Sequence, residues 1–174
     1  ALMRGELPNI FNPECEKGAL LDLGVYCVYP AIYYFGEPQM LDAESVLLNT
    51  GVDGSGSITM KYSDKIINLN YSKLCQGRAP SEFIGDNGSV TVDSISQLHG
   101  IKIYDKNGNA TVLHEGEDKP HLMSHEADAL FEFITEPHKT KEYYEYCSEL
   151  SVKTSRIMYE VRMKTGIIYP SDNV

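Results

Sequence analysis

Asp22, Tyr26, Tyr29 and Tyr33 fall at i, i+4, i+7 and i+11, a spacing that brings all four to one side of a helix. That side presents a carboxylate one turn before a phenol. Oxidising an alcohol by hydride transfer needs a group that takes the proton from the same oxygen, and a tyrosine beside a cation fills that role. A free phenol has a pKa of about 10, so the tyrosine needs a positive neighbour. The same positions also read as packing, with Asp22 an acid near a helix N-terminus and the tyrosines ordinary bulk in a chain that has 12 of them. Spacing alone leaves both readings open.

Other chemistry-bearing residues carry less. His121 and His125 are four apart, a spacing used by metal ligands, but Glu126 follows directly and no third ligand is placed. A helix-start or surface role is expected, and no metal site. No G-x-S-x-G elbow occurs, so acyl transfer has no support. Cys15, Cys27, Cys75 and Cys147 form no C-x-x-C pair and read as reduced, mostly buried thiols of a cytoplasmic protein. Gly51, Gly54 and Gly56 would cradle a phosphate only by following a strand and opening a helix. A strand follows them instead, so they read as a loose hairpin, and the chain offers no dinucleotide fingerprint.

The elements that must hold these residues show in the hydrophobic period. Leu21, Val25, Val28, Ile32 and Phe35 recur at helical spacing and Gly36-Glu37-Pro38 stops the pattern, which predicts one helix over 18–36 with Pro30 as the place for a bend. The period then changes to two. Ile58, Met60 and Tyr62 alternate with Thr59 and Lys61; Ile67, Leu69 and Tyr71 with Asn68 and Asn70; Val90 and Val92 with Thr91; Ile101 and Ile103 with Lys102. Turn signals at Ser63-Asp64, Asn87-Gly88 and Asn107-Gly108 join antiparallel neighbours, so the middle reads as an antiparallel meander. Helical spacing returns over 124–134 and 140–164, with a stripe of Tyr143, Cys147, Leu150, Ile157 and Val161 closed by Gly166.

The expected class is therefore α+β, an open, predominantly antiparallel β-sheet with helices packed on one face. The free face would carry Ser57, Thr59, Lys61, Asn68, Asn70, Thr91, Lys102 and Tyr104. It is polar without being highly charged, which suits solvent or a wet subunit interface.

With 174 residues, 42% of them hydrophobic, one domain with its own core is expected. A net charge of -10 opposes attraction to phosphate backbones or anionic lipid, so neither nucleic acid nor a membrane surface is an expected partner. The longest uncharged run, 23–36, is broken by Gly24 and Pro30 and is too short to span a bilayer. The chain opens at Ala1 with no export signal and reads as truncated at its N-terminus.

Residues 11–38, and within them the run Gly18-Ala19-Leu20-Leu21-Asp22-Leu23-Gly24-Val25-Tyr26-Cys27, resemble the start of the C-terminal domain of the Gfo/Idh/MocA family, the glucose-fructose oxidoreductase and inositol dehydrogenase group. The run looks closest to the dihydrodiol dehydrogenase branch. The ending Arg162-Met163-Lys164-Thr165-Gly166-Ile167-Ile168-Tyr169-Pro170-Ser171-Asp172 is similar to that family's terminal helix and tail.

The resemblance implies an NAD- or NADP-dependent oxidoreductase acting on a hydroxyl of a sugar, polyol or cyclic diol. It implies a cofactor held by an N-terminal Rossmann domain that this chain lacks, and a catalytic lysine in a Glu-Lys-Pro motif likewise absent. By position Asp22 matches the family's active-site aspartate. Tyr26 falls where diol and sugar dehydrogenases carry tyrosine and inositol dehydrogenases carry histidine, which implies an acid/base role for it. Asn12, Lys17 and Tyr29 are expected around the substrate. One departure stands out: the family's glycines before the Ala-Leu-Leu-Asp run are here Glu16 and Lys17, ahead of the single Gly18. The isolated chain is expected to be inactive, and the open sheet face is expected to mediate a homodimer. The alternative is a non-catalytic dimerisation or ligand-binding module on the same fold.

Overall fold

The computed structural model describes residues 11–15 and 17–173; Glu16, with its departure from the family pattern, lies outside them. The contacts divide the chain into two units, one running to Gln76 and resuming at Ser148, the other covering Gly77–Cys147.

In the first unit a π-helical turn, Leu20–Gly24, leads directly into α1, Val25–Phe35. Three strands follow, β1 (Met40–Leu47), β2 (Asp53–Lys61) and β3 (Ile66–Ser72), paired antiparallel in the order β1-β2-β3. The β2–β3 hairpin closes at Ser63-Asp64, with Tyr62 N–H bonded to Lys65 O at 2.9 Å. Alternation decides what each strand buries. Leu41, Ala43, Ile58, Met60 and Tyr71 point inward, and they meet Leu20, Val28, Ala31 and Ile32 from the helix side. The last half of α3 (Pro137–Thr165) adds Leu150, Ile157, Met158 and Val161 to the same core. Each fully buried aliphatic side chain contributes about 1.5–3 kcal/mol relative to exposure. The expected stripe on α3 holds from Leu150 onward, whereas Tyr143 is exposed. Tyr62 Oη donates to Gly36 O at 2.8 Å, closing the carbonyl end of α1 onto the sheet.

By length and composition the stretch Pro13–Phe35 is long and apolar enough to cross a membrane, contrary to the count of uncharged residues. Its apolar side is instead the core face of this unit, with Leu20 and Val28 at 0% exposure.

The second unit is a separate sheet. Strands β4 (Ser81–Gly85), β5 (Gly88–Ser94), β6 (His99–Asp105) and β7 (Ala110–His114) pair antiparallel in that order. The expected meander thus exists as two sheets, because β3 and β4 do not pair and the chain bends after β3 on the Ser72 hydroxyl. Thr91, Lys102 and Tyr104 share a face as expected but are half-buried, whereas Ile103 on the other face is 41% exposed. Helix α2, Lys119–Thr135, starts where Asp118 accepts the His121 N–H at 3.0 Å. His125 pairs with Glu117 at 2.8 Å on the surface, so both histidines serve the helix start.

Candidate active site

Asp22 sits in the middle of the π turn and Tyr26 in the first turn of α1. The turn widens because Val25 N–H reaches back to Leu20 O; such single π turns inside helices concentrate at functional sites. Further along, Pro30 has no N–H to give the Tyr26 carbonyl. The start of the helix is fixed from below by Asp53, whose Oδ2 accepts the Leu20 N–H at 2.7 Å. Asp53 is fully buried because β2 carries one extra residue there. Val46 pairs with Ser55 and Leu47 with Asp53, which leaves Gly54 as a bulge and turns Asp53 from the open face to the inner one.

Around Asp53 the packing is close. A Cβ on Gly18 would stand 1.8 Å from Asp53 Oδ1, so only glycine lets the chain pass. A Cβ on Gly56 would stand 2.2 Å from Tyr71 Oη. Burial pushes the Asp53 carboxyl above its ordinary value, opposed by the Leu20 N–H and by the charge of Lys73. Burial also pushes Tyr71 up to about 12, only partly offset by its hydrogen bond with Ser45 at 2.9 Å. Both groups belong to the interior, not to the reacting surface.

The second wall comes from the end of β3. Lys73 N–H bonds to Gly54 O at 2.8 Å, extending the ladder. Ser72 Oγ then accepts from Leu74 N at 3.0 Å and Cys75 N at 3.2 Å, which bends the chain. Asp22, Leu23, Ser72, Lys73, Leu74, Cys75 and Gln76 line an open cleft of about 430 Å³. Within it, Lys73 Nζ lies 2.8 Å from Asp22 Oδ2 and 3.0 Å from the carbonyl oxygen of Lys17.

The predicted site residues separate accordingly. Asp22 lines the cleft. Tyr26 is 50% exposed and Tyr29 36% exposed on the following helix surface, and neither is part of the cleft lining. Lys17 is exposed and contributes its main-chain carbonyl. Asn12 is occupied locally, its Oδ1 accepting from Glu14 N at 3.1 Å and its carbonyl from Cys15 N at 3.1 Å, which caps the short turn Pro13–Cys15. Lys73 and Asp53 went unnoticed in the sequence. The signal for Lys73 is the β3 alternation itself: Ile67, Leu69 and Tyr71 lead to Lys73 on the inner face, where a lysine requires a carboxylate.

The thiols depart from expectation. Cys15 and Cys75 are exposed and Cys27 and Cys147 half-buried, so they are not mostly buried; Cys75 is at the cleft because the Ser72 turn carries it there.

The family model for the GFO/IDH/MocA C-terminal domain matches residues 3–91. The chain belongs to the Gfo/Idh/MocA family of oxidoreductases. It is 36% identical over 173 residues to scyllo-inositol 2-dehydrogenase (NADP(+)) of Bacillus subtilis (strain 168), covering 99% of this chain and 52% of the relative. Over 180 residues it is 25% identical to trans-1,2-dihydrobenzene-1,2-diol dehydrogenase of Danio rerio, covering 96% of this chain and 52% of that one. Among solved structures, UDP-N-acetylglucosamine 3-dehydrogenase from Acidithiobacillus ferrooxidans superposes with a TM-score of 0.67 at 13% identity, over 91% of this chain and 49% of the other, a likeness of fold. The chain spans about half the length of the curated relatives it matches.

Proposed function

We propose that this chain is the C-terminal, substrate-binding and catalytic half of an NAD(P)-dependent dehydrogenase acting on a hydroxyl of a sugar, polyol or cyclic diol. The observation that carries the reading is Asp22: an acid on a π turn, at the lip of a cleft and pinned by a cation from the opposite wall. The names of two relatives, an inositol and a dihydrodiol dehydrogenase, support the substrate class.

Gly54 and Gly56 lie within β2, and among the described residues a single glycine, Gly116 between β7 and α2, follows a strand and precedes a helix, which is not a glycine-rich phosphate turn. The residues here therefore fit only the reactive end of a nicotinamide cofactor, against the uncovered Leu23 and Leu74 beside Asp22, and its phosphates belong to an N-terminal Rossmann domain. A nicotinamide held there would supply the hydride acceptor for the carbinol carbon. Asp22 accepts a hydrogen bond from a substrate hydroxyl and holds it in one orientation. Tyr26, exposed one turn on, is the group that takes the hydroxyl proton in this reading, beside a lysine of the cofactor-binding domain. The same reading makes the open face of β1–β3 a homodimer interface.

Turnover of the full-length protein over a panel of sugars, inositols and cyclic diols with NAD+ and NADP+ tests the assignment. Tyr26→Phe is expected to lower kcat by about 100- to 10,000-fold. Undiminished turnover in the variant sinks the role of Tyr26, and no turnover by wild type on any compound leaves the non-catalytic module standing.

A further inference from the structure

We infer that Lys73 is a positioning residue for Asp22, tying the carboxylate to the main chain that leads into the helix; this rests on the oxidoreductase reading above. The Lys73 side chain is 6% exposed and that of Asp22 52% exposed, so the cation is inside the wall and the anion at its lip. The ammonium has three donors and no acceptor. It contacts Asp22 Oδ2 at 2.8 Å and the Lys17 carbonyl at 3.0 Å, joining the turn and the chain ahead of it through a single atom. Its own root is anchored, because Lys73 N–H bonds to Gly54 O within the β2–β3 ladder.

Stability alone does not account for this lysine. A half-exposed ion pair contributes little to folding, while removing an ammonium from water is costly. What the arrangement supplies is direction. A carboxylate on an exposed helical turn samples several rotamers, and a buried cation on one side selects the rotamer that leaves the other oxygen facing the cleft. Lys73 also feels the charge of the buried Asp53, so two carboxylates share it, the inner one structural and the outer one functional. A guanidinium is larger and planar, and does not replace a compact ammonium here.

The test is a double-mutant cycle in the full-length protein with Lys73→Met, Asp22→Asn and the pair. Met keeps the length of the stem, so the wall stays filled. Two readouts are taken, turnover on the best compound of the panel and hydrogen exchange of the amides over 19–24. Lys73→Met is expected to lower kcat/KM by about 10- to 100-fold, mainly in kcat. In the Asp22→Asn background it is expected to change it by less than about threefold. Exchange over 19–24 is expected to be no faster in the pair than in Lys73→Met alone. Independent, multiplying effects on exchange overturn the positioning role whatever the activity, as does a Lys73→Met enzyme with wild-type kcat. Coupled exchange in a protein that turns over nothing keeps the tie between Lys73 and Asp22 and removes the oxidoreductase reading instead.

Discussion

Asp53 Oδ2 accepts the backbone N–H of Leu20 at 2.7 Å across 33 residues of sequence, so the first turn of the helix that bears Asp22 is capped by a strand. The cap works without solvent: Asp53 and Leu20 both have 0% exposure. The second oxygen, Oδ1, has no hydrogen-bond partner among the described residues. A buried acid with one oxygen unsatisfied is costly to ionise.

That cost sets a pH dependence. Asp53 faces Lys73, which lowers its value, and lies near Tyr71 and Tyr169; burial outweighs the lysine and raises it above 3.8. An acid with a raised folded value contributes stability that is whole below its unfolded value and is lost as pH rises through the folded one. Asp53→Asn keeps an acceptor for Leu20 and cannot ionise. Its stability relative to wild type is expected to improve as pH climbs from about 4 toward neutrality, measured by urea unfolding. A difference that does not change with pH removes Asp53 as the titrating group.

Gly18 is a second consequence of the same cap. Gly18→Ala drives a methyl to 1.8 Å from Asp53 Oδ1, and the backbone has to withdraw from the carboxylate. A loss of about 1–3 kcal/mol in unfolding free energy is expected, with faster exchange at the Leu20 amide. A neutral substitution would show that the close approach relaxes freely.

The open face of the first sheet offers a test of assembly. Asp42, Thr59 and Asn68 lie side by side across β1–β3, as do Glu44, Ser57 and Asn70, with Thr59 Oγ1 donating to Asn68 Oδ1 at 3.0 Å. Thr59→Lys combined with Asn70→Lys places like charges across a two-fold interface on this face. Sedimentation of the full-length protein is expected to shift from dimer to monomer; a dimer that persists moves the interface elsewhere.

Thiol labelling separates the cysteines. Cys15 and Cys75 are exposed, whereas burial raises the Cys27 thiol above its ordinary value. Iodoacetamide at neutral pH is expected to modify Cys75 before Cys27, read by mass spectrometry. The reverse order would contradict the placement of the Ser72 turn.

The parts of the fold legible in the sequence are those where one period runs uninterrupted. The helix over 18–36, strands β2, β3, β5 and β6 and the three turn signals follow from it, because Ile58, Met60, Leu69 and Val92 alternate cleanly with polar neighbours. Strand β1 escaped notice because its inward positions are Leu41 and the small Ala43, a weak apolar signal. The split into two sheets depends on a serine turn at Ser72 that no hydrophobic pattern marks. In the candidate site the helix spacing exposed Asp22 and Tyr26, and continued alternation would have exposed Lys73. Asp53 was hidden, since simple alternation with Ser57 and Thr59 assigns it to solvent, and only the bulge at Gly54 turns it inward.

The π turn at Leu20–Gly24 has a bearing on how this site changes over generations. A π turn holds one residue more than the α turn it replaces, so the loss of a single codon within it lets an unbroken α-helix close. Each residue advances an α-helix by about 100°, and such a deletion would swing Asp22 away from its present azimuth relative to Tyr26 without altering either side chain. Substitutions adjust the chemistry of this pair. Its phase is written in the reading length of five residues.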